Sequence, residues 1–411
     1  MKDGRWSRRE VMAGTGMFLG AGALGPIRAL GQSAGPSGAI RTGPFEGSPS
    51  CTLSSGQLEL TFLPGGASIA SIILLDDPGR MNPLWNPVRM RREAGQEAKP
   101  SAATGHMFCL DGFGPPSAEE QKAGLPFNGE ATRQHFALHS SRDGATTEAV
   151  LTGVLPIAQE NVTRRLRLVD GEKVAYIETE VESLLGFDRP AIWGEHATIG
   201  SPFLEPGVTI VHLSAGRCAT VKYQDPVSPT NPSMRRRLLS GQEFQWPFAP
   251  ALDGTTVDMS QAPENPHYID HTATQMDPAH TLEFVTALNP KHRLLLGYLF
   301  RREEFPWLQT WGRYPSATDM ARGMEFATQP FSLTRRAAVT QGTMFGTPMY
   351  RWLPAKSVIR SGFVMFYTQV PEGFSQVDDV RLENGQIAIE DHRARKHVRL
   401  TSSLGASLFA S

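Results

Sequence analysis

Apolar and polar residues alternate along much of this chain. In TRRLRLVDGEKVAYIETEVES, leucines alternate with arginines before Asp170-Gly171, and Ile177 and Val181 alternate with glutamates after it. A period of two is typical of a β-strand, and an Asp-Gly pair supplies a hairpin turn. The stretch therefore predicts two antiparallel strands with one apolar face and one charged face.

The same reasoning predicts strands elsewhere. QLELTFLPGGASIASIILL has apolar alternation on both sides of a Pro-Gly-Gly turn, which indicates a second hairpin. Further short runs predict strands at 209–213, 281–288, 293–300, 362–368 and 386–389. Helical signals are few, although Ser117 and Glu120 form a capping-box pattern that predicts one short helix. Many short strands and few helices predict an all-β protein built as a large β-sandwich.

The segments at both ends differ from the alternating region. Residues 32–50 are small, polar and rich in Pro and Gly, so they predict a flexible linker. A single domain is expected over 51–395, because no Pro/Gly/Ser-rich gap in that range is long enough to separate two domains. Residues 396–411 are expected to form a tail.

The first 31 residues predict export. Arg8 and Arg9 precede a Gly/Ala/Met/Leu stretch that carries no charge until Arg28, and small residues follow at 29–31. This order is typical of a twin-arginine signal peptide, and predicts a periplasmic or otherwise exported protein. The stretch is too short and too rich in glycine for a membrane span, so no membrane contact is expected apart from the signal.

Composition narrows the function classes. Lys and Arg number 40 against 41 Asp and Glu, which gives no indication of nucleic-acid binding. The cysteines, Cys51, Cys109 and Cys218, form no CxxC pair, so buried free thiols are the simpler prediction and one disulfide the alternative. We find no GxGxxG after a strand, no P-loop and no HExxH, and therefore predict neither a cofactor nor a metal.

Four stretches carry candidate chemistry. In chain order they are MNPLWNP (81–87), GLPFNGEATRQHF (124–136), IWGEHATIGSPFLEPG (192–207) and FPWLQTWGRYPSATDMARGMEFATQPF (305–331). With the two hairpins, this order resembles the aldose 1-epimerase, or galactose mutarotase-like, superfamily over about residues 55–390. The resemblance implies a β-supersandwich of large antiparallel sheets, with a mono- or oligosaccharide bound in a cleft on one sheet.

The resemblance also implies a catalytic pair, with His196 as the acid that protonates the ring oxygen and Glu325 as the base at the anomeric hydroxyl. Opening a hemiacetal needs an acid at O5 and a base at O1, and a histidine with an ordinary pKa of about 6.5 suits the first task. Glu195 would help to hold His196 protonated if the strand bends enough for contact, because neighbouring residues on a straight strand face opposite ways.

Other residues are predicted to bind the sugar. Asp270 in HYIDHTATQ resembles the family segment whose aspartate binds a hydroxyl group. Trp193 and Trp311 are candidates for an aromatic face against the sugar ring. Arg313 and Arg322 are candidates for donors to its oxygens.

The chain departs from the family pattern at one point. Where epimerases usually carry His-Gly, this sequence has Asn128-Gly129. An asparagine can donate a hydrogen bond but cannot take up charge. His135 and His106 are candidate substitutes, and residues 105–121 resemble an insertion that forms one wall of the site.

Three functions remain open from the sequence. The first is an aldose-1-epimerase-like isomerase, and the second is a carbohydrate-binding protein of the same fold without turnover. The third is a polysaccharide lyase or glycoside hydrolase, which would need a second carboxylate about 5–10 Å from Glu325.

Overall fold

The computed structural model describes residues 40–228 and 232–410. The predicted signal peptide and residues 32–39 of the predicted linker lie outside this part of the chain. Strands β1 to β11 are Ile40–Phe45, Ser48–Ser54, Leu58–Phe62, Ile69–Leu74, His106–Leu110, Ala137–Asp143, Thr146–Leu155, Glu160–Val169, Val174–Ser183, Arg189–Ala191 and Trp193–Gly200. Strands β12 to β20 are Ile210–Leu213, Ala215–Thr220, Glu243–Phe244, Phe248–Pro250, Thr256–Asp258, Tyr268–Met276, Leu282–Asn289, Leu294–Arg301 and Trp307–Tyr314.

The remaining strands and the helices complete the described chain. Strands β21 to β29 are Ala321–Gly323, Glu325–Ala327, Thr343–Met344, Thr347–Pro348, Arg351–Leu353, Val358–Gln369, Asp379–Glu383, Gln386–Asp391 and Lys396–Thr401. Helices α1 to α4 are Pro87–Glu93, Ala118–Lys122, Arg335–Gln341 and Gly405–Leu408, and a 3₁₀ helix covers Glu130–Arg133. The capping box predicted at Ser117 and Glu120 begins α2, as expected.

Two large antiparallel sheets form the body of the protein. Over the described residues, one has twelve strands in the order β1-β2-β3-β4-β5-β11-β21-β20-β17-β13-β14, with β22 paired to both β11 and β20. The other has eight strands in the order β12-β18-β19-β26-β9-β8-β7-β6. The predicted hairpin at Asp170-Gly171 joins β8 to β9, and Leu166 stands opposite Ile177 in its register. The all-β prediction is therefore confirmed.

The main core lies between the two sheets. It is formed by fully buried side chains from both, including Leu60, Phe108, Leu166, Ile177 and Phe326. A second apolar cluster covers the other face of the eight-stranded sheet, where β27, β28, β29 and α4 pack. Central strands of that sheet are thus buried on both faces, which explains why residues 294–300 are apolar without alternation.

Both ends of the described chain are part of the folded protein. Strand β1 begins at Ile40, so residues 40–50 are two paired strands joined by a turn at 46–47 and not the flexible linker that was predicted. The predicted tail also contains β29 and α4, whose Leu400 and Leu408 are buried in the second cluster. Over residues 40–50 backbone pairing outweighs a small, polar composition, and over residues 396–410 pairing and burial contradict the predicted tail. Cys51, Cys109 and Cys218 are buried free thiols.

Candidate active site

His196 lies on the outer face of the twelve-stranded sheet. Its strand, β11, pairs with β5 on one side and with β21 and β22 on the other. Because side chains alternate along a strand, His196 faces outward and Glu195 faces the core. The side chain of His196 is 12% exposed and lines a cavity, whereas Glu195 is fully buried between the sheets.

Strand β22 brings Glu325 beside this histidine. In the register of the sheet, Glu325 stands opposite Gln309 of β20. Its side chain passes over Gly323, where a Cβ atom would collide with Oε1 of Glu325. A glycine at 323 is therefore required by the close approach of the carboxyl group.

Four contacts hold the imidazole ring of His196. Its Nδ1 atom is 3.3 Å from Oε1 of Glu325 and 2.9 Å from Oγ1 of Thr198. Phe113 and Trp311 meet the ring edge to face, with centroids 5.5 and 6.1 Å away. Among the described residues, Nε2 has no hydrogen-bond partner, so it is the nitrogen left to meet a ligand in the cavity.

Burial shifts both members of the pair toward their uncharged forms. Desolvation lowers the pKa of His196 to about 3 and raises the pKa of Glu325 well above its ordinary value. Burial therefore favours a neutral histidine and a protonated glutamate. An ion pair between the two is the less stable arrangement until a ligand changes their surroundings.

The cavity in front of the pair has a volume of about 570 Å³, which is within the range of small-molecule sites. Its walls are largely aromatic or thioether side chains, namely Trp85, Met107, Phe113, Phe127, Met234 and Trp311. Five polar side chains also reach it, namely Asn128, His196, Arg313, Glu325 and Ser332. Glu325 is the sole carboxylate among the described lining residues, so the second acid of a glycosidase is not found there.

Asn128 reaches the cavity from a tight loop. Its φ angle is +63°, a left-handed conformation that asparagine tolerates better than most residues. Its side-chain Oδ1 accepts a hydrogen bond of 2.9 Å from the main-chain amide of Gly114. The main-chain amide of Asn128 in turn donates to the carbonyl oxygen of Gly114 at 3.0 Å. The side-chain oxygen is thus used within the fold, and the amide NH₂ group is the part left for a ligand.

Trp311 and Arg313 are two residues apart on β20 and share the cavity face. Trp311 contacts the ring of His196, as described above. The Nη1 atom of Arg313 is 3.0 Å from Oδ1 of Asp319, and this ion pair holds the guanidinium group at the cavity. The structure therefore brings five of the predicted site residues together at the cavity, namely Asn128, His196, Trp311, Arg313 and Glu325.

Two residues predicted to bind substrate lie elsewhere. Asp270 and Arg322 both stand opposite Gly312 of β20, so alternation places them on the face away from the cavity. Asp270 is 1% exposed and accepts a 2.8 Å hydrogen bond from Nε of Arg237. Arg322 is fully buried and donates to the carbonyl oxygen of Met259. Their positions therefore contradict substrate contact in this cavity.

Trp193 and His106 belong to a charged cluster inside the sandwich. Glu195 accepts two hydrogen bonds from Arg164, at 2.8 and 2.9 Å, and one of 2.8 Å from Nε2 of His106. The indole of Trp193 donates to the same carboxylate at 3.2 Å. Trp193 therefore does not face a sugar, and His106 cannot replace the missing histidine of the cavity. His135 is exposed and lies outside the cavity lining.

Part of the predicted insertion at 105–121 is a strand of the sheet, namely β5, and the wall begins after it. Phe113, which packs on His196, is carried by the turn that follows β5. Arg189 binds the carboxylate of Asp111. Arg335 donates a hydrogen bond of 3.0 Å to the main-chain carbonyl oxygen of Asp111. The wall is thus fixed by buried charged groups.

Sequence reasoning missed Thr198 and, apart from Trp311, the aromatic lining. Thr198 was predictable, because it is two residues from His196 and must share its face. Trp85 and Phe127 are on loops in two of the four stretches singled out, but no periodic pattern indicates where a loop side chain points.

No group of His, Cys, Asp and Glu in the described residues is arranged to hold a metal ion. Likewise, none of the described helices combines the length and the hydropathy that a membrane crossing requires.

Comparisons with known proteins agree with this architecture. Neither protein-family models nor curated protein sequences give a match to the chain. Solved structures do: a proposed aldose 1-epimerase from Klebsiella pneumoniae is 13% identical, with a TM-score of 0.57 over 79% of this chain and 80% of that one. The chain has the galactose mutarotase-like fold.

Two more structures extend the comparison. A galactose mutarotase-like protein from Clostridium acetobutylicum is 12% identical, with a TM-score of 0.53 over 80% of this chain and 98% of that one. A proposed aldose 1-epimerase from Escherichia coli is also 12% identical, with a TM-score of 0.52 over 80% of this chain and all of that one. At such identities the likeness concerns the galactose mutarotase-like sandwich alone, and function depends on the site.

Proposed function

We propose that this protein is an aldose-1-epimerase-like isomerase that interconverts the anomers of a sugar. The observation that supports this most is the pair formed by His196 and Glu325, 3.3 Å apart at the cavity on the outer face of the sheet. One ring nitrogen and one carboxyl group provide the two proton-exchanging groups that ring opening needs.

The proposed reaction conserves protons. In the ionised pair, Nε2 of His196 gives a proton to O5 as the C1–O5 bond breaks, and Glu325 takes the proton of the O1 hydroxyl. The product is the open-chain aldehyde beside an uncharged pair. Rotation about C1–C2 and reversal of both transfers then close the ring with either configuration at C1.

The electrostatics of the site fit the second half of this cycle, in which the ring closes. Burial favours the uncharged pair, which is the form that closes the ring. The ionised form is costly in a dry site, and hydroxyl groups of a bound sugar would lower that cost by hydrogen bonding. Asn128 and Arg313 are the lining residues placed to bind such hydroxyl groups, and Trp311 offers an aromatic face.

The test is anomer exchange measured by NMR on sugars selected in a glycan-binding screen. His196→Gln and Glu325→Gln should each lower the exchange rate by about 10²–10⁴-fold, with losses that do not add. Glu283→Gln is the matched control, because Glu283 is also fully buried but lies on β18 of the other sheet. Equal losses in all three variants would indicate a general structural defect and contradict the proposal.

A carbohydrate-binding protein without turnover is the second candidate. Asn128 favours it, since the oxygen of its side chain is bound to Gly114 and its amide group cannot take up charge. Sugar binding by the wild type with no exchange on any bound sugar would establish this candidate against the isomerase.

We further propose that the protein is exported. The support is the order of Arg8-Arg9, an uncharged apolar stretch and small residues in the first 31 positions, which lie outside the described residues.

A further inference from the structure

The hydroxyl group of Thr198 touches the ring of His196 without lining the cavity. The two residues share one face of β11, and Oγ1 of Thr198 is 2.9 Å from Nδ1 of His196. Thr198 is fully buried, so its hydroxyl must find partners within the protein. Substrate binding does not explain this residue.

The direction of the hydrogen bond follows from the second contact of Thr198. Its Oγ1 is also 3.3 Å from the main-chain carbonyl oxygen of His196, which can only accept. A hydroxyl has one proton and two lone pairs, so the group that donates to the carbonyl accepts from Nδ1.

Glu325 adds a second oxygen at the same nitrogen. Its Oε1 is 3.3 Å from Nδ1 of His196, whereas Nε2 has no partner among the described residues. A proton on Nδ1 therefore meets the hydroxyl oxygen of Thr198 and lies near Oε1 of Glu325, whereas a proton on Nε2 meets no partner among the described residues. In metal sites and hydrolytic triads, the partner of one ring nitrogen likewise decides which nitrogen does the chemistry.

We propose that Thr198 is a positioning residue that keeps the proton of neutral His196 on Nδ1, so that Nε2 alone exchanges a proton with the sugar. The proton on Nδ1 stays in place throughout the cycle, and each ring opening or closing moves one proton between Nε2 and O5. The catalytic part of this inference rests on the proposed function, while the choice of ring nitrogen does not.

The experiment compares Thr198→Val, which removes the hydroxyl at similar shape, with Thr198→Ser, which keeps it. Thr310→Val is the control, because Thr310 is buried on β20 and its hydroxyl has no partner among the described residues. Protein labelled with ¹⁵N-histidine gives the protonation of each ring nitrogen near neutral pH. The spectrum of His196→Gln identifies the signals of His196 by difference.

Wild type, Thr198→Ser and the control should show Nδ1 protonated and Nε2 unprotonated. Thr198→Val should show a mixture of the two tautomers, and a kcat for anomer exchange about 10- to 100-fold lower at unchanged KM. An unaltered ¹⁵N pattern in Thr198→Val, or a serine variant that behaves like valine, would overturn the inference. If the wild type exchanges no sugar, the proposed function fails while the ¹⁵N pattern still decides the role of Thr198.

Discussion

Replacing Glu325 by glutamine should stabilise the protein while it strongly slows anomer exchange. The side chain of Glu325 is 3% exposed, and its Oε1 atom has no hydrogen-bond partner among the described residues. Burial raises its pKa, so the folded state keeps a proton that the unfolded state loses once the pH exceeds about 4.3. Glutamine keeps the shape of the group and carries no charge at any of these pH values.

The magnitude follows from proton linkage. A carboxyl whose pKa is raised by folding contributes stability that is fully present below its unfolded pKa and is lost as the pH rises through its folded pKa. The loss is about 1.4 kcal/mol for each pH unit between the two values. The difference in the free energy of unfolding between Glu325→Gln and wild type should therefore grow with that slope above pH 4.3, and level off at the folded pKa.

Glu283 calibrates the measurement. Burial raises the pKa of Glu283 to about 8, so Glu283→Gln should gain stability up to that pH, by about 5 kcal/mol at most. Glu283 lies on the other sheet, and its substitution should leave exchange unchanged. We expect Glu283→Gln to be stabilised with full activity and Glu325→Gln to be stabilised with reduced activity. That result would separate the energetic cost of burying a carboxyl group from its role in catalysis.

The assay is urea unfolding of wild type and both variants at several pH values from 5 to 8.5. The opposite sign for Glu325→Gln would refute the reasoning. If His196 and Glu325 instead formed an ionised pair, glutamine would leave a buried imidazolium of His196 without its counter-ion, and the variant would be less stable than wild type.

Three further outcomes are expected. Asn128→His should raise the rate of anomer exchange measured by NMR, because it restores a group able to carry charge at the cavity; a flat or lower rate would contradict this. Gly323→Ala should slow exchange strongly at nearly unchanged secondary structure by circular dichroism, since its Cβ would displace the Glu325 carboxyl. Arg8→Lys with Arg9→Lys should retain the precursor in the cytoplasm, and an unchanged periplasmic yield on fractionation would reject the export signal.

The fold was largely predictable, because alternation and turn residues are local signals. The hairpin around Asp170-Gly171 illustrates this, since its register places Leu166 opposite Ile177 as the pattern requires. The ends were not predictable in this way. Residues 40–50 look like a linker in composition, and only pairing with the strands after them makes them part of the sheet.

The site was predictable in part, and the errors have different physical causes. His196 and Trp193 are three positions apart on one straight strand, so they must face opposite ways, and alternation alone would have excluded Trp193. Arg322 precedes a break between β21 and β22, and no sequence signal gives the facing of a residue beside such a break. The loops that carry Asn128 and Phe113 needed the fold itself, because tertiary contacts orient them.

Two glutamates on adjacent strands show why Glu325 and not Glu195 is the group suited to exchange protons. Both are almost fully buried, so desolvation acts on both to raise the pKa. At Glu195 the charge of Arg164 and the hydrogen bonds from His106 and Arg164 outweigh that effect and hold the pKa at about 2. At Glu325 no such cation is present among the described residues, and the pKa rises. A permanently ionised carboxylate that is bonded on all sides stabilises the inner face of β11, whereas the unpaired carboxyl group of Glu325 beside the cavity is not held in the ionised form and can exchange its proton with a bound sugar.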